Sequence, residues 1–196
     1  MWFVTLTAYI RMYHCNTKLL PSLFSDNECD RIIDLVEHFK TEAAQVGGDN
    51  NTVTNKKIRK CDVVWIPELE VTTWLRNRIE TAFREANEEL YGFELDYLEK
   101  LQYLKYQRLN FFKPHFDLGE PGIATRKLTM SVQLSQPNEY WGGNLSVRDI
   151  TGTVVASKQR GDVIIFPTYL LHHAHTIYFG TRQCLVAWMH GATPLR

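Results

Sequence analysis

The sequence predicts a mainly β protein with N-terminal helices (α+β), in which two helices pack on one face of an antiparallel β-structure. Two observations support this fold class. First, apolar residues recur at helical spacing in two segments before Gly92. Second, the chain beyond Gly92 divides into about eight short apolar stretches separated by turn residues, which is typical of antiparallel strands. Helices on one face of a barrel or a sandwich satisfy both observations.

The first predicted helix begins at a capping box. Ser25 and Glu28 have the spacing at which each side chain can bind the other residue's backbone N–H. The apolar residues that follow favour a helix that ends at about residues 47–48, where two glycines occur. The polar stretch 48–57 is then predicted to be a surface loop.

The second predicted helix follows a short strand at residues 61–66. Its apolar side runs from Leu75 to Leu90, and Gly92 is the expected C-terminal cap. Three tryptophans in and beyond this region, Trp65, Trp74 and Trp188, are predicted to lie in the core. The later strands are predicted at residues 99–109, 113–117, 127–135, 143–148, 153–156, 162–166, 172–177 and 183–190.

Length and composition indicate a single globular domain. The chain has 196 residues, of which 44% are hydrophobic and 22% charged, and this is enough for one core. We expect one domain over residues 1–196, with a helical support region at about 20–92 and a β core at about 97–190. The formal net charge is zero, which argues against nucleic-acid binding driven by phosphate neutralisation.

The cysteines and the N-terminal segment predict a cytoplasmic protein without a membrane segment. Cys15, Cys29, Cys61 and Cys184 are scattered and form no C-x-x-C motif, which is typical of reduced thiols. Residues 1–15 are apolar but lack the basic start and the small-residue cleavage site of a signal peptide. They are also too short and too β-branched for a membrane helix, so we predict a strand there.

The most informative short motif is the His-x-Asp pair formed by His115 and Asp117. Residues two apart on a strand project to the same side, so this imidazole and this carboxylate would lie next to each other. A second, distant histidine would complete a 2-His-1-carboxylate triad, which leaves positions on Fe(II) open for reactants. On its own the motif is weak evidence, because such tripeptides also arise by chance.

Candidates for the third ligand occur together in the distal strands. His173 and His175 share one strand face by alternation, and His172 takes the opposite face. Arg182 follows His172 by ten residues, beyond a turn at residues 180–181. A guanidinium at that position could bind a carboxylate through two hydrogen bonds.

Together these motifs resemble the Fe(II)/2-oxoglutarate-dependent dioxygenases, particularly the prolyl 4-hydroxylase-like branch. The resemblance covers about residues 97–190, and the helical N-terminal half is compatible with it. It implies a double-stranded β-helix (jelly-roll) core with the two helices packed on one sheet. The similar blocks are residues 106–117, 126–135, 140–145 and 161–167, His172, residues 180–182 and Trp188.

The resemblance also implies roles for individual residues. His115, Asp117 and His172 would bind Fe(II), and Arg182 would pair with the distal carboxylate of 2-oxoglutarate; these four form the expected catalytic set. Further cosubstrate contacts are expected from Tyr106, Gln133, Leu145 and Val186. Gln133 stands where some relatives have a tyrosine, so Arg182 would have a different helper here. Leu109 replaces a glycine that is frequent in the family, which puts the local turn shape in doubt.

The implied reaction uses Fe(II) as cofactor, 2-oxoglutarate and O2 as cosubstrates, and ascorbate as a reductant. Oxidative decarboxylation to succinate and CO2 would accompany hydroxylation of a C–H bond, with a prolyl side chain of a peptide or protein as the expected substrate. Asp117 favours hydroxylation, because related halogenases carry a small residue at that position. Loops 48–57 and 118–125 are candidates for closing over substrate.

Two alternatives stay open at this point. One is hydroxylation of a free amino acid or another small molecule. The other is a non-catalytic jelly-roll module that only binds a ligand. The intact set of three ligands and Arg182 argues against the second alternative, because a decayed site would be expected to lose at least one of the four.

Overall fold

The computed structural model describes residues 17–44, 55–119, 121–149 and 151–195. The strand predicted at residues 1–15, Cys15 and most of the loop predicted at 48–57 lie outside these ranges. No helix in the described ranges is long and apolar enough to cross a membrane.

Two α-helices and a series of short strands make up the described fold. The helices are α1 (Asp26–Glu37) and α2 (Thr73–Ala86), with 3-10 turns at Glu70–Thr72 and Pro121–Ile123. The strands are β1 (Lys18–Leu20), β2 (Thr41–Ala43), β3 (Arg59–Lys60), β4 (Asp62–Ile66), β5 (Leu101–Tyr106), β6 (Phe111–His115), β7 (Arg126–Gln133), β8 (Tyr140–Gly142), β9 (Leu145–Asp149), β10 (Gly152–Val155), β11 (Val163–Pro167), β12 (Leu171–Ala174), β13 (Ile177–Gly180) and β14 (Arg182–His190).

The strands of the described residues form two large antiparallel sheets and one small one. The first sheet has seven strands in the order β1-β11-β7-β14-β5-β4-β2, and the second has five in the order β10-β9-β12-β6-β3. Strands β8 and β13 pair separately. The predicted class, mainly β with antiparallel sheets and two helices, is confirmed.

The two helices cover one face of the seven-stranded sheet. Ile32 of α1 and Phe83 of α2 are fully buried in one cluster with sheet residues such as Met130 and Leu185. Burial of each such side chain stabilises the fold by about 1.5–3 kcal/mol. Because this face carries the hydrophobic core, the opposite face of the sheet is free to line a cavity.

The first helix begins where the sequence predicts but ends earlier. Ser25 accepts a hydrogen bond from the backbone N–H of Glu28, and the Glu28 side chain accepts one from the backbone N–H of Ser25. The prediction that the helix continues to about residue 47 is wrong, since α1 ends at Glu37. The chain instead forms β2, which pairs with β4, and these cross-strand bonds replace the helical ones.

The second helix ends as predicted, but its last turn is wider than an α-helix. A π-helical turn at Asn87–Tyr91 follows α2, and Gly92 closes it with a left-handed φ of 69°. The expectation that Leu90 lies on the apolar side is wrong, because its side chain is 37% exposed. A π turn contains one more residue than an α turn, so it rotates the residues that follow away from the buried stripe.

The strand predicted at 172–177 is divided in the structure into β12 and β13. The break follows Ala174, where the backbone N–H of His175 bonds to the carbonyl of Asn144 and Gly143 donates to the carbonyl of Thr176. These bonds direct the chain out of the five-stranded sheet and into the β8–β13 pair, which the sequence did not predict.

Candidate metal centre and active-site cavity

A cavity of about 430 Å³ lies between the two large sheets. This volume is within the range of small-molecule sites in proteins. Seven of the eight predicted site residues line the cavity, and Gln133 does not, because it lies behind Arg182. The seven are Tyr106, His115, Asp117, Leu145, His172, Arg182 and Val186.

Antiparallel pairing brings the two predicted histidine ligands together. His172 of β12 lies directly opposite His115 of β6, and their ring centroids are 4.2 Å apart. Asp117 follows the end of β6, so the prediction that the strand extends to this residue is wrong. Its backbone N–H donates to the carbonyl of Thr168 across 3.0 Å, which turns its carboxylate towards the imidazoles.

The three side chains form a compact donor set. The Nε2 atom of His115 is 3.5 Å from Oδ1 of Asp117, and the Nε2 atom of His172 is 3.3 Å from Oδ2. One donor atom from each residue lies within 4.8 Å of the others, so the group could hold a metal ion. Two imidazoles and one carboxylate are the ligands of the facial triad that binds Fe(II).

Backbone carbonyls determine which imidazole nitrogen is available in each histidine. Nδ1 of His115 lies 2.8 Å from the carbonyl oxygen of Lys113, and Nδ1 of His172 lies 2.9 Å from that of Leu170. A carbonyl only accepts, so both Nδ1 atoms carry a proton and donate it. This leaves Nε2 of each ring, the nitrogen that faces Asp117, as the atom that can bind a metal in place of a proton.

Asp117 is buried and ionised. Burial alone would raise the pKa of its carboxyl group, but the charge of His172 and hydrogen bonds from His115 and His172 hold that pKa well below its ordinary value. Oδ2 also accepts hydrogen bonds from Oγ1 of Thr129 at 2.8 Å and from Nε1 of Trp188 at 2.9 Å. The carboxylate thus stays negative and in a defined orientation.

The pKa values of the two imidazoles shift in opposite directions. Burial lowers the pKa of His115 below its ordinary value. Burial would also lower the pKa of His172, but the neighbouring Asp117 carboxylate raises it above the ordinary value. A divalent cation bound by the three side chains would replace the proton that His172 and Asp117 otherwise attract.

Arg182 is the second charged feature of the cavity. Its side chain is buried, with the residue only 5% exposed, and its Nε donates to Oε1 of Gln133 across 3.0 Å. Tyr140 lies next to this pair, because its hydroxyl accepts a hydrogen bond from Nε2 of Gln133 across 3.1 Å. None of the ion pairs found in the described part of the chain involves Arg182. A buried guanidinium without a carboxylate partner is a candidate binding site for an anion.

Sequence reasoning missed Tyr140 as a site residue. It lies on β8, which was not predicted. The only feature of the sequence that could have indicated it is its position in residues 140–145, one of the blocks that resemble the family. Tyr106 was predicted and lines the cavity, with its ring centroid 5.8 Å from the Arg182 guanidinium carbon. Burial raises the pKa of Tyr106 well above its ordinary value, so its hydroxyl keeps its proton.

Aromatic side chains form much of the remaining wall. Phe112 stacks on His115 with ring centroids 3.5 Å apart. The prediction that Trp65 is a core residue is wrong, because it is 39% exposed and lines the cavity near Trp188. Phe116, which is 53% exposed, also lines the cavity. These exposed rings indicate the side from which a substrate could enter.

The other two histidines of the cluster lie outside the cavity lining. The rings of His173 and His175 are 3.9 Å apart, and Nε2 of His175 is 2.9 Å from Oγ of Ser146. Neither histidine belongs to the donor group. Strand alternation therefore separated His172 from its neighbours correctly.

The part of the chain that contains this site is similar to a known family. Residues 101–190 match the family model described as the 2OG-Fe(II) oxygenase superfamily. The match covers just under half of the chain. The matched range includes the three donor residues and Arg182, which agrees with the resemblance seen in the sequence.

Curated proteins match part of the chain. A PKHD-type hydroxylase from Prochlorococcus marinus is 29% identical over 94 residues, which are 48% of this chain and 42% of that protein. A PKHD-type hydroxylase from Caulobacter vibrioides is 36% identical over 62 residues, 32% of this chain and 27% of that protein. The chain thus spans less than half the length of these curated relatives.

Two solved structures with a similar fold superpose on nearly the whole chain. A prolyl hydroxylase from Trichoplax adhaerens, in complex with a hypoxia inducible factor peptide fragment, has a TM-score of 0.77 at 14% identity and covers 92% of this chain and 86% of that one. A Pseudomonas putida prolyl-4-hydroxylase has a TM-score of 0.70 at 15% identity, with coverage of 95% and 100%. These similarities show a shared jelly-roll fold.

Proposed function

We propose that the protein is an Fe(II)- and 2-oxoglutarate-dependent dioxygenase, in which decarboxylation of 2-oxoglutarate to succinate and CO2 accompanies hydroxylation of a C–H bond. The observation that carries this proposal is the presence of two complementary sites in one cavity. The donor set of His115, Asp117 and His172 suits Fe(II), and the buried Arg182 suits the distal carboxylate of 2-oxoglutarate. One molecule of 2-oxoglutarate, which has a carboxylate at each end, can bind at both sites.

The side chains have separate roles in this proposal. Arg182 binds the distal carboxylate, and Gln133 and Tyr140 hold its guanidinium in place. Tyr106, which stays protonated, is a hydrogen-bond donor beside the cosubstrate. Leu145 and Val186 line the cavity as apolar walls, which exclude water and so strengthen the interaction of charges inside.

Fe(II), when bound, supplies the oxidative chemistry that protein side chains lack. The protein contributes the donor atoms, the anion site and the shape of the cavity. We include ascorbate as a reductant for the iron in this proposal. The free, buried Cys29, Cys61 and Cys184 support a reducing compartment such as the cytoplasm, and we treat residues 1–196 as one catalytic domain.

The proposed substrate is a prolyl side chain in a peptide or protein. The exposed rings of Trp65 and Phe116 provide an apolar surface beside the metal centre that suits a pyrrolidine ring and its neighbouring residues. Two solved structures with the same fold are themselves prolyl hydroxylases. Hydroxylation of a free amino acid or another small molecule is the competing outcome.

Two measurements test the function. Anaerobic addition of Fe(II) and 2-oxoglutarate is expected to produce the visible absorption band of the chelated complex, and admission of O2 is expected to yield succinate. Proline-containing peptides should then gain the mass of one oxygen atom. Absence of the band would contradict the proposal, whereas oxidation of free amino acids but not of peptides would contradict only the substrate.

Gln133 provides a more selective test of the anion site. The Gln133→Leu variant removes the acceptor of the Arg182 Nε–H bond, and one such bond contributes about 0.5–1.5 kcal/mol. We expect KM for 2-oxoglutarate to rise about 2- to 10-fold while kcat changes little. The same substitution at exposed Gln159 is the matched control, and steady-state kinetics of succinate release is the measurement. An unchanged KM in Gln133→Leu would show that Gln133 does not support Arg182.

A further inference from the structure

We propose that Trp188 and Thr129 are positioning residues that keep Asp117 a one-oxygen metal ligand. They do so by holding its Oδ2 atom, which leaves Oδ1 for the metal. This inference rests on the proposed function only in requiring that the cavity binds a divalent metal. It adds a role for an indole that sequence reasoning treated as a core residue.

The contacts to Oδ2 are short and completely buried. Nε1 of Trp188 donates to it across 2.9 Å, and Oγ1 of Thr129 donates across 2.8 Å. Both donor residues and Asp117 itself are buried. Trp188 and Thr129 lie directly opposite each other on β14 and β7, so one cross-strand pair supplies both donors. Hydrogen bonds to a buried carboxylate are charge-assisted and therefore strong.

This arrangement has a consequence for metal binding. A carboxylate that binds a metal through both oxygens occupies two coordination positions, whereas a carboxylate that binds through one oxygen occupies one. A facial triad must leave positions open for its reactants. Oδ2 also lies 3.3 Å from Nε2 of His172, whereas Oδ1 faces Nε2 of His115 at 3.5 Å. Because Oδ2 already accepts two hydrogen bonds, Oδ1 is the oxygen that Asp117 can give to a metal, and the open positions are preserved.

A second set of contacts fixes the indole itself. The guanidinium carbon of Arg126 lies 4.0 Å from the Trp188 ring centroid. Two parallel hydrogen bonds of 2.7 Å from Nε and Nη2 join Arg126 to the carboxylate of Glu99. Nε2 of His190 donates to the same carboxylate across 2.9 Å. The cation stacked on the ring restricts its rotation, so Nε1 stays directed at Asp117.

The test is an anaerobic titration with Co(II), which reports metal affinity and ligand number by its visible spectrum without turnover. Loss of a residue that orients a metal ligand typically costs about 10- to 100-fold in affinity. We therefore expect Trp188→Phe to weaken Co(II) binding by about that factor and to alter the spectrum. Thr129→Val should have a similar effect, and Thr129→Ser, which keeps the hydroxyl, should restore it.

Trp74→Phe is the matched control for loss of an indole N–H. Its Nε1 is buried without a hydrogen-bond partner in the described structure, and the residue packs on the helical side of the fold. This variant should bind Co(II) like the unmodified protein.

The inference would be overturned by wild-type affinity and spectrum in Trp188→Phe. If that variant does not fold, equal affinities for Thr129→Val and Thr129→Ser would overturn it instead. Because Co(II) binding needs no 2-oxoglutarate, failure of the dioxygenase proposal would appear separately, as absence of the 2-oxoglutarate band in unmodified protein.

Discussion

Replacement of His172 by alanine is expected to abolish both metal binding and succinate formation. The variant removes one of the three donor atoms that lie within 4.8 Å of one another. Loss of a residue that only orients a metal ligand typically lowers metal affinity by about 10- to 100-fold. We therefore expect loss of a ligand itself to lower it by more than about 100-fold. Anaerobic titration with Fe(II) and 2-oxoglutarate, followed by a succinate assay, measures both effects.

His173→Ala is the control for this prediction. His173 is adjacent in sequence and has the same side chain, but it lies outside the cavity lining, and its ring packs against that of His175 instead. Its replacement should leave the absorption band and the rate of succinate formation near those of the unmodified protein. Equal losses in both variants would mean that β12 is merely sensitive to substitution, and an intact band in His172→Ala would refute the assignment of His172 as a ligand.

The Arg182→Leu variant is expected to lose most of its affinity for 2-oxoglutarate while it keeps its metal. Truncation of one partner of a buried, hydrogen-bonded charge pair costs about 2–5 kcal/mol, which corresponds to a decrease in affinity of about 30-fold or more. Arg182→Lys should be intermediate, because an ammonium group cannot form the two parallel bonds of a guanidinium. Titration of the absorption band with 2-oxoglutarate gives the dissociation constants.

Two further measurements separate recognition of the carboxylate from general damage. The unmodified protein should prefer 2-oxoglutarate strongly over a 2-oxo acid without the distal carboxylate, and Arg182→Leu should lose that preference. Co(II) affinity should stay unchanged in the variant. Arg148→Leu, at an exposed position on β9, is the matched control and should keep the preference. A full preference for 2-oxoglutarate in Arg182→Leu would show that another residue binds the distal carboxylate.

Local sequence patterns predicted the parts of the fold that depend on neighbouring residues. The capping box at Ser25, the left-handed cap at Gly92 and the alternation that separates His172 from His173 all follow from spacings of a few residues. Each is a property of a single turn or strand. The proximity of His115 and Asp117 also follows from a spacing of two residues, but Asp117 lies beyond the end of β6 and its orientation depends on the distant Thr168.

Predictions failed where a distant partner competed with a local preference. The first helix was predicted too long because pairing of β2 with β4 is invisible in the sequence of β2 itself. The prediction for Leu90 assumed a regular α-helical period. It failed because the π turn at Asn87–Tyr91 interrupts that period. The core prediction for Trp65 failed because the local sequence does not show that this face of the sheet lines a cavity.

The sequence by itself therefore predicted the fold class, and it proposed His115, Asp117 and His172 as a donor set and Arg182 as a candidate anion site. Only the tertiary structure decided what supports them. Gln133 binds Arg182, and Trp188 binds Asp117, although the partners lie 49 and 71 residues apart in the chain. Such contacts depend on which strands pair and in which register, and that is set by packing of the whole domain rather than by any local pattern.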